Sequence, residues 1–154
     1  MQPISVPEVK QAAEDAFANG LYCAESVIQA LAQAQGLESE ILTKMATGFC
    51  GGMSRTCGPC GALTGAVMGV SLGLGRNKAG ESAKDAYMAT QQLVKEFEEQ
   101  FGARNCDALL GCDLGTPEGQ ATFREKGLHE RCHKYTGAAA EIAARMLAEQ
   151  ERPR

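Results

Sequence analysis

Apolar residues recur at helical spacing along most of the chain, and no stretch shows the period-two alternation of a half-buried strand. In the first segment, Val9, Ala13 and Phe17 share one helical face, and Asn19-Gly20 follows as a C-cap signal. Helices are predicted over residues 7–18, 23–35, 39–47, from about Pro59 onward, 82–101, around Ala108, 119–126 and 129–150. No linker separates them, so residues 1–154 are predicted to form one all-α domain, a helical bundle with a frayed tail from about 150 to 154.

Glycine recurs every four residues in the fourth predicted helix, at Gly61, Gly65, Gly69 and Gly73. Each glycine inside a helix costs about 1 kcal/mol relative to alanine. A ridge of such residues lets a neighbouring helix backbone come very close, which offsets that cost. The pattern therefore predicts a central helix that holds Cys60, although the same ridge could pack across a homo-oligomer.

Composition and charge exclude several classes of partner. The net charge of −4 lacks the basic footprint of a nucleic-acid-binding protein, and no polybasic run is present to dock on an anionic membrane. The longest apolar stretch, 61–75, is shorter than the roughly 20 residues of a membrane span. The first residues show no secretion signal, so a cytoplasmic location is expected.

Cysteine is the residue type that carries candidate chemistry. The chain has seven: Cys23, Cys50, Cys57, Cys60, Cys106, Cys112 and Cys132. In a reducing compartment, such a set indicates redox chemistry or metal binding rather than a disulfide scaffold. The odd count also prevents complete pairing within one chain.

Two of these cysteines form the CGPC sequence of Cys57 to Cys60, which has the spacing of a thioredoxin dithiol. A thioredoxin needs a central sheet, and this chain offers no predicted strand and no tryptophan. We instead expect Cys57 near a helix N-cap and Cys60 in the first helical turn. Free N–H groups there favour a thiolate, so one of the two is expected to have a lowered pKa. The alternative is that both are packed as small apolar residues.

The chain resembles a family of redox-active proteins named for the pattern C_GCAxxG_C_C. The resemblance is carried by LYCAESV, GFCGGMSR, CGALTG and NCDALLG, and it covers nearly the whole sequence. It matches the family's cysteines to Cys23, Cys60, Cys106 and Cys132. It implies a redox function that rests on these four, without a settled reaction or substrate, and related domains are associated with iron–sulfur centres. Cys50, Cys57 and Cys112 depart from the pattern, and the roles of Cys50 and Cys112 are left open.

Three functions follow as alternatives. In the first, thiol–disulfide exchange or electron transfer uses Cys57 and Cys60 as the catalytic pair. The partner is then a redox protein or a small thiol, and the cysteines at 23, 106 and 132 converge nearby. In the second, an iron–sulfur cluster or another metal such as zinc is held by the four family cysteines. In the third, the chain is a non-catalytic interaction module whose cysteines only pack. The sequence leaves open whether it is an enzyme.

Two further sequence features are weaker indications of a functional site. The segment from His129 to His133 matches H-E-x-x-H, the zinc-protease pattern, but short motifs recur by chance. His133 could add a ligand or a base beside Cys132, whereas the simpler interpretation is a pair of solvent-facing histidines. Arg55 lies in the glycine-rich turn over 48–58 and is interpreted as a surface charge, with an effect on a nearby thiol as the alternative.

Overall fold

The protein is all-α in the computed structural model, which describes residues 2–153. In chain order the right-handed helices are α1 (Val6–Ala18), α2 (Cys23–Ala34), α3 (Glu40–Ala46), α4 (Gly61–Leu74), α5 (Lys84–Phe101), α6 (Cys106–Leu110), α7 (Pro117–Glu125) and α8 (His129–Gln150). A 3-10 turn, Thr47–Phe49, and a left-handed turn within Cys50–Arg55 connect α3 to the segment before α4. The predicted fold class is confirmed.

Local signals in the sequence explain where several helices begin and end. The Ser39 hydroxyl accepts a hydrogen bond from Ile41 N at 3.3 Å and so caps α3. The Thr116 hydroxyl does the same for α7 by accepting from Gly119 N at 3.0 Å. Gly102 ends α5 in the left-handed conformation that favours glycine. These caps satisfy backbone groups that a helix terminus leaves unpaired.

The core lies where α2, α4 and α8 meet, with α1 covering α2 and α8 and with α5 packed on α4 and α8. An aromatic cluster closes the side facing α5: Phe101 and Tyr135 have ring centroids 4.8 Å apart, and Phe97 lies 4.9 Å from Phe101. None of the helices within residues 2–153 is both long and apolar enough to cross a membrane.

The glycine ridge packs inside the chain, against α2. A side chain at Gly65 would place its Cβ 2.7 Å from Ala24 O, and one at Gly61 would collide with Cys23 Sγ. Gln35 Nε2 also donates a hydrogen bond to Gly69 O at 2.9 Å across this contact. The prediction of a central helix is therefore confirmed. Because α2 covers the ridge within the chain, a homo-oligomer would have to use another surface.

The start of α4 differs from the prediction. Pro59 was expected in the first helical turn, but it lies in extended backbone and forms an isolated bridge with Asn105. Cys60 is the N-cap rather than a helical residue, and its N–H donates to Arg104 O at 2.7 Å. This bond to a segment distant in sequence holds Cys60 outside the helix, so α4 begins at Gly61. The predicted fraying of the tail concerns residues 150–154, and Arg154 lies outside the described residues.

Candidate functional site

Five of the seven cysteines line one cavity of about 490 Å³. They come from five separate segments and are Cys23, Cys50, Cys60, Cys106 and Cys132. Leu109, Leu110 and Tyr135 form an apolar floor, and the exposed side chains of Arg55 and Arg124 lie at the rim. The structure thus brings the four family cysteines together and adds Cys50 to them.

The backbone beside the cavity is strained. From Gly51 to Arg55 all five residues have positive φ, at 68°, 71°, 60°, 59° and 67°. Three of the five, Met53 to Arg55, are not glycine, and each L-residue in this conformation costs roughly 1–2 kcal/mol. Gly58 N donates to Gly52 O at 2.9 Å and Ser54 Oγ to Gly48 O at 2.8 Å, and these bonds hold the turn. Such strain persists where the surrounding structure enforces it, most often at functional sites.

The turn presses Cys50 and Gly51 against Cys23, the first residue of α2. A hydrogen bond from the Cys50 thiol lowers the pKa of Cys23 to about 7, and it outweighs burial, which acts in the opposite direction. The N–H groups of Gly51 and Ala24 lower the pKa further. Cys23 is therefore ionised to about one half at neutral pH, whereas an ordinary thiol is ionised to only a few per cent.

Cys50 acts as the hydrogen-bond donor of this pair. Its hydrogen bond to Cys23 raises the pKa of Cys50 far above the usual range, and burial and the Cys23 charge add to the effect. The Cys50 thiol donates to Ala46 O, which lies 3.6 Å from Sγ, and the Cys23 sulfur is its alternative acceptor. A charge-assisted hydrogen bond is the stronger one, so the proton is directed to Cys23 when that thiol is ionised.

The other three cavity cysteines stay protonated. Burial raises the pKa of Cys106 and of Cys132 to about 12 each, and the charge on Cys23 adds to it. Burial likewise raises the pKa of Cys60. Cys60 and Cys106 lie on two short segments that pair, since Cys106 N donates to Gly58 O at 2.9 Å. At neutral pH, Cys23 is thus the one cysteine of the cavity lining with a substantial ionised fraction.

The expectation of a lowered pKa at Cys57 or Cys60 is wrong. N–H groups of Ala62 and Leu63 at the start of α4 do lower the pKa of Cys60, but burial outweighs them. Cys57 lies three residues before the N-cap, has a φ of 60° and is not in the cavity lining. Its pKa is raised by desolvation, by a hydrogen bond with Asp113 and by the charge of Asp107. Cys112 also lies outside the lining.

The two histidines both lie in the first turns of α8, and His129 is its first residue. The ring of His129 stacks on Phe17 at a centroid distance of 4.6 Å, and that of His133 lies 6.0 Å from the same ring. Within residues 2–153, no three His, Cys, Asp or Glu side chains are arranged to share a metal ion. The family cysteines and His133 therefore do not form a prearranged set of metal ligands.

Comparison with models of known protein families identifies the family of this chain. The model of the family described as "Putative redox-active protein (C_GCAxxG_C_C)" matches residues 21–146. The chain belongs to this family. No curated protein and no solved structure gave a significant match. The matched span contains all seven cysteines and therefore the whole cavity-lining set.

Within this C_GCAxxG_C_C protein, Glu25 is a site residue that the sequence analysis missed. The side chain is 7% exposed, and its carboxylate accepts hydrogen bonds from Tyr22 N at 2.8 Å and from the Thr47 hydroxyl at 2.7 Å. The second bond ties the start of α2, with Cys23, to the turn that leads to Cys50. Its position three residues after Tyr22 is that of the glutamate in a capping box, and this spacing was the available signal.

The pH dependence of Cys23 alkylation tests the pair. Because only the thiolate reacts, the iodoacetamide rate should rise with pH and level off above a midpoint near 7. Cys50→Ser keeps a hydrogen-bond donor, so its midpoint should stay near 7, whereas Cys50→Ala removes the donor and should move it upward. The reaction can be followed by mass spectrometry in the tryptic peptide of residues 11–44, whose only cysteine is Cys23. Equal midpoints in Cys50→Ala and the unsubstituted protein would contradict this assignment.

Proposed function

We propose that this protein carries out thiol–disulfide exchange with Cys23 as the nucleophile and Cys50 as the resolving cysteine. One observation carries the proposal: Cys23 and Cys50 are neighbours, since a Cβ on Gly61 would touch both Cys23 Sγ and Cys50 Cα, and the Cys50 thiol lowers the pKa of Cys23 to about 7. Both sulfurs line the same cavity, so a disulfide substrate can reach them. A thiol with a pKa near the ambient pH is also the best attacking group in exchange, because it combines ionisation with nucleophilicity.

The reaction proceeds in two displacements. The Cys23 thiolate attacks one sulfur of a disulfide R–S–S–R, forms a mixed disulfide Cys23–S–S–R and releases the first RS⁻. Cys50 then loses its proton, which passes to a departing thiolate, and attacks Cys23 Sγ. That step forms the Cys23–Cys50 disulfide and releases the second RS⁻. In sum, two protein thiols are oxidised and one substrate disulfide is reduced to two thiols, and a dithiol reductant reverses the sequence.

The hydrogen bond between the sulfurs also orders these two steps. While Cys23 is a thiolate, its charge and its hydrogen bond raise the pKa of Cys50, so Cys50 is held protonated. Once Cys23 is part of a mixed disulfide, that charge is gone and only burial still opposes ionisation of Cys50. Cys50 therefore becomes a nucleophile after Cys23 has reacted and not before.

Exchange between Cys57 and Cys60 stays a prediction from the sequence. Its support is the CxxC spacing, and against it stand the raised pKa of both thiols and the position of Cys57 outside the cavity lining. Cys60, Cys106 and Cys132 would then serve as further thiols of the cavity, protonated in the resting state.

A metal or iron–sulfur centre held by Cys23, Cys60, Cys106 and Cys132 is the second candidate. The support is that all four line one cavity. The described side chains are not arranged as a ligand set, so binding would require them to move.

Peptide mapping after stoichiometric oxidation separates these functions. Protein purified without oxygen is analysed for metal and sulfide, oxidised with one equivalent of diamide, and digested with trypsin at a mildly acidic pH, at which the protease still cleaves and thiol exchange is slow. We expect a linkage between peptides 11–44 and 45–55, which contain Cys23 and Cys50 as their only cysteines. Cys57 and Cys60 share peptide 56–76, so their disulfide would appear as the loss of two hydrogens within it. That result would contradict the proposal, as would stoichiometric iron and sulfide bound to the protein.

A further inference from the structure

The reactive sulfurs lie below the surface. Cys50 is 8% exposed, and Cys23 is half-buried at the start of α2. Access is through a cavity of about 490 Å³, which is within the range of small-molecule sites. A disulfide on a folded partner is held by its backbone and would have to enter this space with its surroundings. The dimensions favour a small disulfide over a protein substrate.

The charged side chains that line this cavity are both cationic. Arg55 and Arg124 line it, whereas no Asp or Glu of residues 2–153 is among the lining residues. The contrast with the whole chain is strong, because the protein carries 19 acidic residues and a net charge of −4. Neither arginine forms an ion pair with a carboxylate elsewhere in the described part of the chain. Both guanidinium groups therefore remain available to an anion.

Arg55 belongs to the turn that contacts Cys23. Its side-chain Cγ is 3.5 Å from the position that a Cβ on Gly51 would occupy, and the Gly51 N–H is one of the donors to Cys23. The strained left-handed turn, in which Arg55 has a φ of 67°, sets this position. Arg124 comes from the last turn of α7, a separate element that lines the same cavity. Two cations on different elements thus border a cavity that contains one thiolate.

We propose that the cavity binds low-molecular-weight disulfides that carry carboxylates, with the disulfide at Cys23 and Cys50 and the carboxylates at Arg55 and Arg124. This inference rests on the proposed exchange reaction and specifies its substrate. The apolar floor at Leu110 and Tyr135 receives the hydrocarbon part of the molecule. The guanidinium groups orient the substrate through charge-assisted hydrogen bonds, which carboxylates accept in pairs from arginine.

Three disulfides of similar size test the charge preference: dithiodiglycolate is anionic, hydroxyethyl disulfide is neutral and cystamine is cationic. The second-order rate constant of each with the protein is divided by its rate constant with a free small thiol, which removes differences in leaving-group chemistry. We expect the normalised rate constants to decrease in the order anionic, neutral, cationic. Modification of Cys23 is followed in the peptide of residues 11–44.

Arginine substitutions locate the effect. Arg55→Gln and Arg124→Gln should each lower the anionic-to-neutral ratio about fivefold, the upper end for a partly exposed ion pair. Arg76→Gln is the matched control, because it removes the same charge from an exposed position outside the cavity and should leave the ratio unchanged.

Two further outcomes are distinguishable. If hydroxyethyl disulfide oxidises Cys23 but the ratio is near one, or is the same in the Arg55 and Arg124 variants as in the control, the charge-based proposal is overturned and the exchange reaction stands. If none of the three disulfides modifies Cys23, the exchange reaction itself fails, and this inference fails with it.

Discussion

Cys23→Ser is expected to lower the rate at which the reduced protein reduces hydroxyethyl disulfide by about fiftyfold or more at pH 7. The reason is the ionised fraction of the attacking thiol. A thiol with a pKa near 7 is about half ionised at this pH, whereas Cys106 and Cys132, with a pKa of about 12, are ionised to about 0.001%, and their higher intrinsic nucleophilicity offsets only part of this difference. The measurement is the release of thiol from the disulfide under pseudo-first-order conditions, with the protein purified without oxygen.

Cys50→Ser should separate the two steps of the same reaction. Its hydroxyl still donates a hydrogen bond to Cys23, so the first displacement should proceed, but the resolving thiol is absent and burial keeps the other cavity cysteines protonated. Intact-mass analysis should therefore show a stable adduct of one RS group on the protein. Cys57→Ser is the matched control, because it removes a cysteine outside the cavity lining and should retain both steps. Loss of reduction in Cys57→Ser together with full activity in Cys23→Ser would assign the reaction to the CGPC pair.

Gly52→Ala should destabilise the protein by about 3 kcal/mol or more. Its φ of 71° is unfavourable for alanine, and the added Cβ would collide with the Cys106 Cβ and lie 3.0 Å from Gly58 O. Gly51→Ala is the matched control: its φ of 68° is nearly the same, but the nearest atom is the flexible Arg55 Cγ at 3.5 Å. Only the backbone cost of about 1 kcal/mol is expected there. Urea unfolding of both variants measures the free energies.

The comparison between these two glycines has a second readout. If Gly52→Ala folds, the displaced turn should move the Gly51 N–H and Cys50 away from Cys23, and the midpoint of Cys23 alkylation should rise above 7. Gly51→Ala keeps the turn in place and should leave the midpoint near 7. Equal destabilisation of the two variants would show that contact with Cys106 does not hold the turn.

Helical periodicity was sufficient to predict the fold. The segment at 129–150 was predicted with the bounds that the structure shows for α8. A long amphipathic pattern indicates both the helix and the side of it that packs on the core. The glycines from Gly61 to Gly73 also predicted close helix packing, since only a tight contact offsets their cost. The start of α4 was misplaced by two residues, because the bond from Cys60 N to Arg104 O joins segments distant in sequence.

The candidate site was only partly predictable. The family resemblance selected Cys23, Cys60, Cys106 and Cys132, and all four line the cavity. It gave no role to Cys50, whose importance depends on a left-handed turn in which three non-glycine residues adopt positive φ. Sequence patterns do not predict such a turn, because each of its residues would prefer another conformation by itself.

The sequence by itself determined an all-α chain, a central glycine-ridged helix and a set of cysteines typical of redox chemistry, because periodicity and residue type are local properties. Only the tertiary structure decided which thiol is ionised. At the start of α4, burial raises the pKa of Cys60 more than the N–H groups of the helix N-terminus lower it, so Cys60 stays protonated. At the start of α2, the hydrogen bond from Cys50 outweighs burial and favours the thiolate of Cys23. The pKa of a thiol depends on such opposing contributions from distant segments, and those are set only when the chain has folded.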